Sequence, residues 1–371
     1  MYNIQIITKF SDFENLKEQW IKLLDNAIFD SFFSSYEWCN CWWQSFALSD
    51  DKLAIIVAEK NGELVAIAPL MIRRIKEYGF NLNVLRFIGV PNADRCDIII
   101  HKDEENVLPE LINFIFTKVE GWSQLHLNEI PVESLFVKWL QENYPRVFIE
   151  EGSECPYVSW ADWESWDEYY KSLSKKTRLE LNRKNNTLKK EGKSQYHHLF
   201  NPGPDNSVLA MARELERKSA KAQHIVTENL ALVGEKHWGF QQMILNNCGK
   251  YQVLLSWLVR EEKLIAYLYG FIYKKRYYAY NTAYSGEAIK YYPGKLIMNE
   301  ALRYCKENNI QIFDLLRGAT HLKSRWANGC SEQQNVYCLR NQPVNWLYSV
   351  VVFKLRPFIK QRILPILKDK K

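Results

Sequence analysis

The spacing of apolar residues changes period repeatedly along the first half of the chain. Ile4 and Ile6 alternate with polar neighbours, which predicts a strand over residues 4–8. Over residues 12–27, Phe13, Leu16, Trp20, Leu23 and Leu24 fall on one face of a 3.6-residue period, with Asp12 placed to cap a helix. Residues 36–46, rich in tryptophan, predict a second helix. Residues 53–59 and 63–73 read as strands across Asn61-Gly62, a pair that accepts the positive φ of a tight hairpin. Strands at 85–88 and 98–100, a helix at 104–119, a strand at 125–127, a helix at 134–142 and a strand at 147–149 follow.

The second half repeats this order. Helices are predicted at 166–173 and 175–191, a strand at 196–199, and helices at 206–222 and 236–246. A hairpin spans 251–260 and 263–273 across Glu261-Glu262, followed by a long strand at 277–283. A helix at 294–308, with Gly294 at its mouth, leads to a strand at 312–315. Each half runs strand, two helices, hairpin, further strand, helix, strand. That is a duplication of structure without obvious sequence identity. It predicts an α/β fold with mixed sheets and helices on their faces. The boundary falls near residues 155–166. The expected spans are 1–160, 161–342 and a basic amphipathic tail at 343–371.

Charge sharpens the division. The net charge of +6 is a cancellation: residues 1–170 carry −14 and residues 171–371 carry +20. Opposite signs in the two halves suggest different electrostatic roles and argue against a uniform nucleic-acid coat. No apolar run approaches the ~18 residues of a membrane span. The start, MYNIQIITKFSDFENL, lacks the features of a signal peptide, so a cytoplasmic protein is expected. None of the eight cysteines forms a C-x-x-C pair, and Cys39-x-Cys41 is too tight for a zinc knuckle. Reduced thiols and no metal are expected. No solenoid repeat, phosphate-binding P-loop, dinucleotide fingerprint or Ser-His-Asp order stands out.

Three stretches carry a resemblance. YYPGKLIMNEALRYCKENNIQIFDLLRGATHLKSRWA, residues 291–327, resembles the C-terminal signature of the CelD-like acetyltransferases through Tyr292, Pro293, Gly294, Phe313, Asp314, Gly318 and Lys323. SLSKKTRLELNRKNNTLKKEG, residues 172–192, is similar to that family's basic helix through Ser174, Arg178 and Arg183. LRFIGVPNADRCDIII, residues 85–100, resembles its Gly-then-Asp-x-x-Asp turn through Gly89, Asp94 and Asp97. The family belongs to the Gcn5-related N-acetyltransferase superfamily and is associated with bacterial polysaccharide biosynthesis.

The resemblance implies tandem Gcn5-related acyltransferase-like domains, with a non-catalytic first domain and a CoA-like cleft in the second. It implies an acyltransferase, moving an acetyl or longer acyl group from acetyl-CoA or another acyl-CoA. The acceptor would be an amine or hydroxyl of a small molecule, sugar or polysaccharide precursor. Two other readings stay open. Fem-type aminoacyl or peptidyl transferases share the duplicated plan and use aminoacyl-tRNA, but their long helical arm is not evident. A non-catalytic scaffold of the same fold is favoured by residues 290–296, which keep one glycine of the superfamily's pyrophosphate pattern and no second small residue.

Candidate residues follow from the chemistry. A helix N-terminus exposes N–H groups and partial positive charge, and Gly294 lets a pyrophosphate approach it, flanked by Lys290, Tyr292 and Lys295. The alternative is a plain Pro-Gly turn. By alternation Tyr278, Tyr280 and Tyr284 share a strand face. Tyr280 is the candidate acid toward a leaving thiolate, against a role in an aromatic core. Asp314 could accept a proton or hold an acceptor hydroxyl, against a salt bridge to Arg317. His321, with an ordinary pKa near ~6.5, could serve as a base. Arg178, Arg317 and Lys323 could bind phosphate or carboxylate groups of a substrate, against a solvated basic surface.

Residues 171–193 hold nine basic and two acidic residues, an anion-binding wall or a solvated helix face. This helix lacks the interleaved aromatics of a base-stacking surface, so tRNA enters only with the Fem-type reading. From Lys354 onward come seven basic residues and one acidic one, which suit peripheral contact with an anionic membrane or a docked terminal helix. Asp94 and Asp97 read as turn-forming and capping residues rather than a metal pair.

Overall fold

The computed structural model describes residues 1–318 and 320–356. The chain divides into two units. The first comprises Met1–Trp43, Ala47–Gly152 and a returning segment from Gln333 onward; the second comprises Ser153–Glu332 and Gln44–Phe46.

The first unit opens with β1 (Asn3–Ile7). The expected single helix is two, α1 (Phe10–Asn15) and α2 (Lys17–Asp25), which meet at Leu16 and bury Phe13, Trp20, Leu23 and Leu24. Helix α3 (Tyr36–Phe46) starts at Ser35, whose hydroxyl accepts the Trp38 N–H at 3.2 Å. Strands β2 (Lys52–Lys60) and β3 (Glu63–Glu77) join through Asn61 and Gly62, at φ 54° and 81°. Then come β4 (Phe80–Phe87), β5 (Ile99–Ile100), α4 (Leu108–Thr117), β6 (Gln124–Pro131) and α5 (Leu135–Asn143). Strands β1 to β4 are antiparallel neighbours in sequence order. Strand β6 then lies parallel to β4, over Val84–Arg86 against Gln124–His126 only.

Strand β7 (Val147–Ser159) starts in the first unit and ends in the second. There follow α6 (Trp166–Ser172), α7 (Lys175–Lys190), β8 (Ser194–Phe200), α8 (Ser207–Lys218) and α9 (Glu235–Asn246). Strands β9 (Gln252–Arg260), β10 (Lys263–Tyr273) and β11 (Arg276–Tyr284) are antiparallel, with β8 on the outer edge of β9. Helix α10 (Pro293–Glu307) carries the chain to β12 (Ile312–Asp314), which is parallel to β11 and antiparallel to Tyr157–Ser159 of β7. Leu181 and Leu188 of α7, Leu296, Ile297 and Ala301 of α10, and Leu254, Leu268, Tyr277 and Phe313 of the sheet share one core. Each such leucine is worth roughly 2 kcal/mol relative to exposure.

The chain returns through β13 (Gly329–Leu339), of which Gln333–Leu339 pair antiparallel with β6, and through α11 (Pro343–Ser349). The strands of each unit therefore have the same order: four antiparallel strands, a parallel neighbour reached through a helix, and an antiparallel sixth strand. The mixed α/β plan and the duplication agree with the pattern of the sequence. The main segment of the second unit starts at Ser153. The end of the chain differs. Residues 333–356 belong to the first unit rather than to the second domain or a separate tail. Leu339, Tyr348 and Val352 are buried against Leu82 and Val84, because a sheet with a free edge and an uncovered face binds them. The expected tail residues 357–371 lie outside the described residues.

The Gly89-to-Asp97 segment is built into the first unit. Val90, Ala93, Cys96 and Ile98 are buried, and the Cys96 N–H donates to the Glu129 carbonyl of β6 at 3.0 Å. The Asp97 carboxylate accepts the Ile98 N–H at 2.7 Å and the Ser134 hydroxyl at 2.9 Å. Among the described residues no group of His, Cys, Asp and Glu could hold a metal. Burial pushes the Asp97 pKa up to about 7, against those two hydrogen bonds. The folded state thus retains a proton that an unfolded aspartate loses near ~3.9. Asp97's contribution is fully present below that value and fades as pH rises to about 7. Asp97→Asn should therefore gain stability relative to wild type between about pH 4 and pH 7. Urea midpoints across that range check it; a constant difference between the two proteins would refute it.

Candidate functional site

The second unit's site begins with an irregularity in β11. Tyr269 of β10 pairs with Asn281, and Phe271 with Tyr278, so Gly270 alone opposes Ala279 and Tyr280. Glycine is required there: a Cβ would lie 2.2 Å from the Tyr278 carbonyl oxygen. The extra residue breaks the alternation of β11. Thr282 and Tyr284 face α7 and α10, while the Tyr280 ring lies 5.1 Å from Phe271 on the opposite face. The face expected to unite Tyr278, Tyr280 and Tyr284 does not form.

The other edge of β11 pairs with β12 over three residues, ending at Tyr278 opposite Asp314. Beyond that point the strands part. The space between them is a cavity of about 420 Å³. Thr282 and Tyr284 line it from β11, Leu181 from α7, Gly294 and Met298 from α10, and Leu315, Leu322 and Trp326 from the segment after β12. Most of its wall is apolar. At Gly294 a Cβ would stand 3.0 Å from the Tyr284 ring, so the residue keeps the cavity mouth clear. Tyr292, left-handed at φ 54°, precedes Pro293 and turns the chain into α10, which has no side-chain cap. An uncapped helix start offers N–H groups and partial positive charge to an anion.

The cavity continues into a basic groove of about 780 Å³, lined by Lys175, Lys176 and Arg183 of α7 with Lys295 and Arg325. Glu180 and Tyr292 belong to both walls. The Glu180 carboxylate accepts Lys295 Nζ at 2.7 Å and Arg325 Nη1 at 3.1 Å. The Lys295 hydrogen bond is the main reason its pKa lies below the usual carboxylate range. Glu191 accepts Lys290 Nζ at 2.7 Å and the Tyr291 hydroxyl at 2.6 Å, which lowers the Glu191 pKa and raises that of Lys290. Lys184 and Lys295 lie 4.1 and 4.4 Å from the Tyr292 ring centroid, within cation–π range.

Of the residues singled out from the sequence, Tyr292, Gly294, Lys295 and Lys323 line the cavity. Lys323 Nζ also donates to the carbonyls of Leu316 at 3.0 Å and Arg317 at 2.6 Å, bracing the loop. Lys290 turns toward Glu191. Arg178 folds over the start of its own helix, donating from Nε to the Leu173 carbonyl at 3.1 Å. Asp314 is fully buried, accepting Arg276 Nη1 at 2.9 Å and the Leu316 N–H at 2.9 Å. It forms an ion pair with Arg276. His321 is exposed and accepts Arg325 Nε at 3.4 Å, outside the cavity wall. Thr177, Glu180, Thr282, Arg325 and Trp326 enter the site unannounced by the sequence. Glu180 carried one signal, as one of two acids in a strongly basic helical segment.

Residues 175–324 match the family model of the acetyltransferase (GNAT) domain. The second unit therefore carries a GNAT-type acyltransferase fold. FemX is similar in structure, with a TM-score of 0.63 and 10% identity over 93% of this chain and 99% of that one. The C-terminal DUF2156 domain of a putative lysylphosphatidylglycerol synthetase from Agrobacterium fabrum gives a TM-score of 0.56 and 9% identity over 92% and 96%. A tandem GNAT protein from the clavulanic acid biosynthesis pathway gives 0.49 and 10% over 90% and 98%. At such identities the likeness to FemX and the synthetase domain is one of fold. No curated protein sequence matches significantly.

Glu180 occupies the cations that an incoming anion would need. Glu180→Gln should tighten binding of inorganic pyrophosphate by about fivefold, the worth of one partly exposed charge. Calorimetry at low ionic strength reads the change; weaker or unaltered binding would argue that Lys295 and Arg325 do not face the anion.

Proposed function

We propose that the second unit binds an acyl-CoA and transfers its acyl group to an amine or hydroxyl of a sugar or polysaccharide precursor. The observation that carries this reading is the apolar cavity between β11 and β12, continuous with a basic groove past an uncapped helix start. The donor's chemistry fits both parts: an acyl thioester arm suits the apolar cavity, and nucleotide phosphates suit Lys175, Lys176 and Arg183. The resemblance of residues 291–327 to the CelD-like acetyltransferases supports the acceptor class.

An acyl-CoA supplies an activated thioester carbonyl. The chain supplies the rest. Beyond Tyr278 the edge of β11 no longer pairs with β12, so its backbone groups can hold a carbonyl oxygen or an amide of the donor. The Tyr284 hydroxyl, on the cavity face, takes the role first assigned to Tyr280 and protonates the departing sulfur. Attack by the acceptor is direct. Cys155 and Cys305 are buried, burial pushes the Cys305 thiol up, and the exposed Cys330 thiol is also raised, chiefly by desolvation. None offers a ready thiolate nucleophile. The Fem-type alternative would lay an RNA backbone along the same basic groove; the apolar cavity favours an acyl thioester.

Two measurements follow. Coenzyme A should bind wild type in calorimetry, lose detectable binding in Gly294→Glu, and weaken about tenfold in the Lys175→Glu/Lys176→Glu double variant. Acyl-pantetheine, which lacks the nucleotide, should bind the double variant as it binds wild type. Tyr284→Phe should lower kcat for acyl transfer to amino-sugar acceptors about 10²-fold with KM nearly constant. Stabilisation by tRNA and not by CoA would overturn the proposal, as would a Tyr284→Phe enzyme with full kcat.

A further inference from the structure

Helix α11 and the turn after it, Val350–Leu355, hold to the first unit along one stripe. Asn345, Tyr348 and Val352 are buried at helical spacing. The Tyr348 hydroxyl donates to Glu77 at 2.9 Å, and the Asn345 amide donates to the Ser123 and Arg340 carbonyls at 2.9 Å each. The opposite face of a surface helix is ordinarily charged. Here it presents Val344, Trp346 and Leu347, followed by Leu355, exposed by 39%, 64%, 48% and 48%. Tyr78, 47% exposed at the turn between β3 and β4, joins them through Arg356, whose guanidinium lies 5.0 Å from its ring.

Described cations stand beside this patch. Lys354 and Arg356 border it and are exposed. The sequence beyond adds Lys360, Arg362, Lys368, Lys370 and Lys371 against Asp369 alone. From Pro343 to Lys368 there is no acidic residue. An exposed tryptophan with aliphatic neighbours and bordering cations matches one surface by chemistry. Indole settles at the headgroup level of a bilayer, aliphatic side chains enter the acyl boundary, and lysine and arginine are drawn to anionic headgroups.

We propose that α11, with Lys354 and Arg356, docks the protein on an anionic phospholipid surface, with Trp346 and Leu347 as the inserted anchors. No helix among the described residues is long and apolar enough to cross a membrane, so the contact is peripheral. The proposal draws on no part of the acyl-transfer reading, and each can fail alone.

The test is flotation of the full chain with vesicles. Those of equal parts phosphatidylcholine and phosphatidylglycerol should carry the protein at low ionic strength and release most of it at high ionic strength. Pure phosphatidylcholine vesicles should carry little. Trp346→Ala/Leu347→Ala should weaken binding at least about tenfold. Lys354→Glu should weaken it about fivefold or more, as one juxtamembrane charge requires. Because these side chains are exposed, the variants should melt with wild type. Three outcomes would overturn the proposal: no flotation with anionic vesicles; flotation undiminished by the Trp346/Leu347 variant; or a wild-type dimer that this variant turns into monomer, which would make the patch a contact between copies.

Discussion

The three-residue parallel ladder between β11 and β12 is the constraint on which the site depends. Its closed end is pinned by an ion pair between the buried Asp314 and the partly exposed Arg276, and by the Tyr277 and Phe313 rings with centroids 4.8 Å apart. Its open end is enforced from both sides. The bulge opposite Gly270 bends β11, and Leu316, left-handed at φ 58°, turns the chain out of β12 under the Asp314 carboxylate. Strands that part leave backbone groups without ladder partners, and these must be met by water, side chains or a bound molecule. Asp314 therefore serves the cavity from behind, by fixing where the separation starts.

The first unit poses the same problem and answers it differently. Strands β4 and β6 also pair over three residues and then stop. There the chain brings its own filling: the buried Gly89-to-Asp97 segment, whose Cys96 N–H satisfies the Glu129 carbonyl and whose Asp97 ties the Ser134 hydroxyl at the start of α5. One duplicated plan thus yields an open cleft in one copy and a filled one in the other. The residues of the Gly-then-Asp-x-x-Asp turn belong to the filling.

Much of the fold was legible because apolar period and turn chemistry agreed. Asn61-Gly62 adopts the positive φ that the pair favours, and the helix expected over 294–308 forms as α10, burying Leu296, Ile297 and Ala301. What stayed hidden was non-local. Nothing in residues 333–356 says that they pair with β6 or pack on Leu82, since such partners are chosen by an uncovered sheet rather than by propensity. The Tyr280 assignment failed for a related reason. Alternation identifies a strand face only while the register is unbroken, and one inserted residue exchanges the faces. Gly270 was the visible trace of that bulge, since glycine within a strand marks a close backbone approach. Loop residues such as Arg325 and Trp326 reach the cavity through the turn after Leu316, which no periodic pattern encodes.

The charge division has a physical content that residue counts conceal. In the basic segment 171–193 the two acids are not scattered dilution. Glu180 holds Lys295 and Arg325, and Glu191 holds Lys290, which stands just before the start of α10. Cations placed beside the positive end of a helix would repel it and one another. The two carboxylates relieve that repulsion and fix α7 against α10 without a ligand. Lys175, Lys176 and Arg183 line the groove beyond Glu180. The site is thus internally balanced where its walls must stay together and unbalanced where an anion could enter. A uniformly basic helix would attract the same anion but would lose the wall against which it binds.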